Sequence, residues 1–247
     1  MSRFSLRQTY LIVSGKVKYT ALAILISVGL YGAMPQATVG DAVINEVAWG
    51  GTLANASDEW LELYNTTQHT ITLDGWTLSA SINGPTILLE GNIGPQSYFL
   101  LERTDDQTVS DIPADQIYTG DLNNSGESIT LTDPQNQVID TANQQGAGWP
   151  AGCGSPDYTS MERIAPLSPD AAINWETYDG SLVVGYDAAG NPIRGTPRHR
   201  NSVAYTPLEI QKTGAEQARA GMIIPYTLTL RNHKALTITH LVITDIL

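Results

Sequence analysis

Oxygen-bearing side chains recur at alternate positions in Asp121-Leu122-Asn123-Asn124-Ser125-Gly126, with a glycine in sixth place. Calcium loops hold their ion with carboxylate and amide oxygens at that spacing and close with a bidentate glutamate at position twelve. Here the twelfth residue is Thr132 and the second half alternates like a strand, so a turn leading into a strand at Glu127 is the better account. Asp58, Glu59 and Glu62 are close in the chain. Successive side chains of an extended run point to opposite faces, so Glu59 and Glu62 cannot pair as acid and base, and Asp58 and Glu59 read as a solvated rim at a strand end. His69, His199, His233 and His240 show neither H-x-x-x-H nor H-E-x-x-H spacing, and no Cys-His cluster offers a zinc site. Trp49-Gly50-Gly51-Thr52 lacks the lysine of a phosphate loop, and there is no G-x-S-x-G. Cys153, the only cysteine, stands in GAGWPAGCGSP without the partners of a thiol enzyme, and alone it cannot form an intramolecular disulfide. No catalytic, cofactor-binding or metal-ligating set emerges. The expectation is a protein that is not an enzyme.

The elements that would position these residues are strands. Residues 43–47 and 59–65 are apolar-rich extended runs; in the second, Leu61 and Leu63 share one face, while Trp60, Glu62 and Tyr64 share the other. Asn65-Thr66-Thr67-Gln68 is a polar turn, followed by short runs at 70–73 and 76–78. Further strands are expected at 86–89, 97–102 and 127–132, where Ile129 and Leu131 share a face; 138–141 pairs back across Asp133-Pro134-Gln135-Asn136 as a hairpin. Residues 90–95 read as a separator and 104–116 as a surface loop. Residues 142–173 form a long segment rich in Gly, Pro and Ser, tied back by MERI (161–164) and Trp175. Trp60 and Trp76 are expected to be sandwich-core or face-packing residues, and Trp149 is the best candidate for an exposed aromatic.

INEVAW (44–49), DEWLELYN (58–65) and LDGWTLS (73–79) resemble the bacterial form of the lamin tail domain. The resemblance continues at YFLLER (98–103), GDLNNSGESITL (120–131), MERI (161–164), NW (174–175) and GTPRHRN (195–201), covering roughly residues 42–202. One departure is the closing segment: the family pattern runs closer to GTPGxxN, and here Arg198 and His199 follow Pro197. The resemblance implies an all-β, immunoglobulin-like β-sandwich and an extracellular setting, and no particular reaction. From residue 205 the chain resembles the β-sandwich repeats of bacterial surface proteins, through Lys212-Thr213, Ala220-Gly221, 226–232 and 242–247. That pattern is about half complete at Leu247, so the expectation is a partial second β-sandwich repeat, with a fragment of a longer product favoured over a piece that packs against the first domain.

Three segments follow: 1–40 as an N-terminal signal or anchor, 41–204 as the lamin-tail-like domain, and 205–247 as the partial repeat. Residues 21–34 form an apolar run behind Arg3, Arg7, Lys16 and Lys18. This describes a secretory signal, cleaved near Ala33 or Ala37, with retention as a membrane anchor the alternative. The first 40 residues contain no acid, so the rest is more acidic than the −12 of the whole chain. Such a surface favours solubility and argues against direct nucleic-acid binding, which depends on Lys and Arg displacing counterions. The function expected is therefore an exported surface module with a structural, adhesive or interaction role, whose partners are other extracellular domains or surface polymers. One alternative is the accessory domain of an extracellular nuclease or other hydrolase with its catalytic part beyond residue 247; another is sugar binding through Trp149.

Overall fold

The structure, a computed structural model, describes residues 37–81, 83–204, 208–214 and 226–232. The apolar run at 21–34, Ala220-Gly221, His233, His240 and the 242–247 match lie outside the described residues. In chain order the strands are β1 (Ala42–Ala48), β2 (Trp60–Asn65), β3 (Ile71–Thr72), β4 (Thr77–Ala80), β5 (Thr86–Leu88), β6 (Asn92–Ile93) and β7 (Tyr98–Arg103). They continue as β8 (Gln116–Tyr118), β9 (Ile129–Thr132), β10 (Val138–Ala142), β11 (Met161–Arg163), β12 (Trp175–Thr177), β13 (Leu208–Gly214) and β14 (Tyr226–Asn232). One sheet runs β12-β11-β1-β2-β7-β8 and a second runs β10-β9-β4-β5; β3 pairs with β6, and β13 with β14. All pairs are antiparallel except β7 with β8.

Alternation builds the core. Leu61 and Leu63 of β2, with Phe99 and Leu101 of β7, pack with Leu78 of β4, Ile87 of β5, and Ile129 and Leu131 of β9. Trp76 and Trp175 join them. Each fully buried side chain of this kind contributes about 1.5–3 kcal/mol. A second apolar cluster, Trp60, Ala48, Leu100, Val109 and Ile193, lies on the other face of the six-stranded sheet. Trp60 is thus a face-packing residue, as the spacing predicts.

The register of β1 shifts between Ile44 and Glu46. Strict alternation from Ile44 would aim Glu46 into the apolar core; the extra residue, Asn45, turns Glu46 outward and Val47 inward. Four short strands escape the sequence reading. Asn92–Ile93 lies in the expected separator, Gln116–Tyr118 at the end of the expected loop, Met161–Arg163 inside the long segment and Trp175–Thr177 just after it. Runs of two or three residues carry no period to detect. The 104–116 loop is not simply a surface loop: Thr108 and Val109 are buried, and their N–H groups donate to Glu102.

Candidate functional site

The 121–126 segment folds as a turn. Asn123 Oδ1 accepts from Ser125 N at 2.9 Å, and Asn123 O accepts from Gly126 N at 2.8 Å and from the Trp149 indole N–H at 2.9 Å. Asp58 is half-buried, but Glu59 is buried, 3.3 Å from Arg103 Nη1, and accepts from Leu122 N at 2.8 Å. The solvated rim expected at Glu59 is therefore corrected: that carboxylate anchors a loop. His69 and His199 are exposed, and among the described residues no group of three His, Cys, Asp or Glu is placed to hold a metal ion. Cys153 is half-buried with Sγ 2.9 Å from Thr159 Oγ1. Trp149 is not the exposed aromatic: it is half-buried and stacked on Trp49, ring centroids 6.0 Å apart. Its neighbours, not its own loop composition, decide this.

The arrangement that individual motifs did not announce is a row of glutamates. Glu162 of β11, Glu46 of β1 and Glu62 of β2 are direct ladder partners across three adjacent strands, and all three are fully buried. They face away from the main core, under the closing segment at residues 193–203. That segment donates to them repeatedly. Thr196 N–H reaches Glu46 Oε1 at 2.8 Å, Arg198 N–H reaches Glu62 Oε2, and Val203 N–H and Ser202 O–H reach Glu162 Oε2 at 3.1 and 2.6 Å. Ser160 donates to Glu46 Oε1 at 2.6 Å and Asn45 Nδ2 to Glu62 Oε1 at 3.0 Å. Asn201 completes the seam, donating to Asn45 O at 3.0 Å and Arg163 O at 2.9 Å.

Burial disfavours the charged form of each carboxyl. It raises Glu46 well above the usual carboxylate range, with Glu162 and Glu62 adding to the effect. Burial likewise pushes Glu62 to about 8, against hydrogen bonds from Arg198 and Asn45, and it raises Glu162. The same cause takes Glu102 to about 8, Glu59 to about 7 and Asp140 to about 6. Much of the acidity counted from sequence is thus buried rather than spread over a solvated face.

On the core side, the side chain of Arg163 is fully buried and joins the two large sheets. Its Nε donates to Ile44 O at 2.8 Å; its Nη2 donates to Asp140 Oδ2 at 2.6 Å and Thr141 O at 2.8 Å. Its guanidinium lies 4.7 Å from the centre of the Trp175 ring. MERI and Trp175 do tie the long segment back, as expected, through this contact. Beside the closing segment lies a groove of about 540 Å³ between Tyr64, Tyr98, loop 164–168 and Arg200. Leu167 on its rim is 83% exposed.

Two antiparallel-rich sheets face to face across an apolar core define an immunoglobulin-like β-sandwich. Residues 35–146 match the family model described as Lamin Tail Domain, which supports the lamin-tail family for this chain. The motifs at 161–201 lie beyond that match, and they supply β11, β12 and the closing segment. A search of curated proteins found no match.

Proposed function

We propose that the chain is a non-enzymatic, exported, bacterial-type surface module with a structural, adhesive or interaction role, in which β13 and β14 begin a second sandwich repeat. The observation that supports this reading best is how the buried acids are used. Glu46, Glu59, Glu62, Glu102 and Glu162 each accept from backbone N–H groups of loops or of the closing segment. This is scaffolding chemistry: it rigidifies a sandwich and frees its exposed loops for contact. The exposed Leu167 beside the Tyr64–Tyr98 pair offers an apolar contact point for another extracellular domain or a surface polymer.

Co-sedimentation of the purified chain with bacterial cell-wall material tests the reading. Retention is expected, weakened about tenfold or more by Leu167→Asp, a change of about 1.4 kcal/mol. In parallel, no turnover of DNA or polysaccharide is expected. Turnover that disappears in Glu59→Gln would refute the non-enzymatic reading.

A further inference from the structure

We propose that the closing segment, residues 193–203, is a proton-held latch: it stays clamped on β1, β2 and β11 while the glutamate row carries protons, and it lifts when the row ionises. The number of hydrogens available under the segment decides which contacts can form. Thr196 Oγ1 lies 2.9 Å from Glu46 Oε2, 2.9 Å from Glu162 Oε1 and 3.5 Å from Asn201 Oδ1. A hydroxyl has a single hydrogen to give. Both short contacts are therefore hydrogen bonds only when one of the two carboxyls brings a proton of its own.

The neighbourhood works in the same direction. Like charges directly opposite each other across a ladder repel, and here three carboxyls stand in one line. Among the described residues no ion pair joins Glu46, Glu62 or Glu162. The ionisable groups around the row are Tyr64 on β2, Tyr98 on β7, exposed Glu176 on β12, Tyr178 and Asp179 just after β12, and Arg194, Arg198 and Arg200 of the closing segment itself. Arg198 favours the charge on Glu62 and Asp179 opposes that on Glu162. The Arg198 guanidinium is nevertheless turned to Pro113 O and Asp115. Burying three unpaired charges is far costlier than exposing them, and the segment is the lid that excludes water from them. Burial raises Glu46 well above the usual carboxylate range and raises Glu162 as well, which favours the shared proton's staying in place while the segment is closed.

Hydrogen exchange on the full chain, corrected for the intrinsic pH dependence of exchange, reads the latch. Between about pH 6 and about pH 9, protection over 194–203 is expected to fall about tenfold or more beyond any fall in β4 and β9 of the opposite sheet. Glu46→Gln should stay protected at the higher pH. Its amide nitrogen can donate to Thr196 Oγ1 as the shared proton does, while its oxygen still accepts from Ser160 and Thr196 N–H. Glu176→Gln, at the exposed end of the row, should follow the parent. A flat profile over 194–203 overturns the latch, as does loss shared equally with β4 and β9, or a Glu46→Gln chain that loosens like the parent. If Glu46→Gln does not fold, the parent profile decides alone: local loss supports the latch, and a flat or global response overturns it.

Discussion

Arg198, where the sequence comparison led us to expect glycine, has a φ of 56°, the left-handed conformation that glycine adopts freely. The turn is kept and the strain is tolerated, because the Arg198 N–H holds Glu62 and its side chain reaches Pro113 O and Asp115. A half-exposed ion pair is worth about 0–1 kcal/mol and offsets strain at the lower end of its range of about 1–3 kcal/mol. Arg198→Gly is therefore expected to change the urea-derived stability by less than about 1 kcal/mol, whereas Arg198→Val, β-branched at positive φ, should lose about 1–3 kcal/mol. At Gly195 the limit is space: an added Cβ would sit 2.6 Å from Glu46 Oε1 and 2.6 Å from Trp60 Cζ2. Gly195→Ala should cost about 1–3 kcal/mol by the same measurement, since rigid, buried neighbours must move. For the tryptophans, Trp76→Ala should cost about 3–5 kcal/mol and half-buried Trp149→Ala about 1–2 kcal/mol, read from melting curves. Equal losses would contradict the difference in burial.

At the scale of the elements, β1 is the strand on which the others depend. It pairs with β2 and β11, its bulge at Asn45 sends Ile44 and Glu46 to opposite faces, and its Ile44 accepts from Arg163 while donating to Asp140. Arg163 thus closes the edge between the six-stranded and four-stranded sheets with hydrogen bonds rather than apolar contact alone. Removing one member of a buried pair strands the other, at a cost of about 3–5 kcal/mol. Arg163→Met should lose about that much in urea unfolding, and adding Asp140→Asn should recover part of it, because the stranded charge disappears. Simple additivity in that double-mutant cycle would mean the two side chains are not coupled.

For the whole molecule, the buried carboxyls set a pH dependence of opposite sense to ordinary acid denaturation. Their folded-state pKa values lie above those of the unfolded chain, so between the two values the folded state binds more protons. Their contribution is fully present below the usual glutamate value and is lost as pH rises through the folded values, up to about 8 for Glu62 and Glu102. Unfolding free energy from urea curves should therefore fall from about pH 5 to about pH 8. Stability that rises over that window would show that these groups are ionised in the fold.

Alternation of leucines and aromatics specified the β-class, the two faces of β2 and the positions of Trp60 and Trp76, because a strand's side-chain period is local and needs no partner. The turn at 121–126 was legible for the same reason: the bonds that close it, Ser125 N–H to Asn123 Oδ1 and Gly126 N–H to Asn123 O, are made within a few residues. The glutamate row was not legible. Its members are 16 and 100 residues apart along the chain, and they meet only because three strands pair in one register and a bulge turns Glu46 outward. Whether an acid lies in water or under a sealed segment depends on what covers it, and that cover comes from the far end of the domain. Only the tertiary structure could decide it.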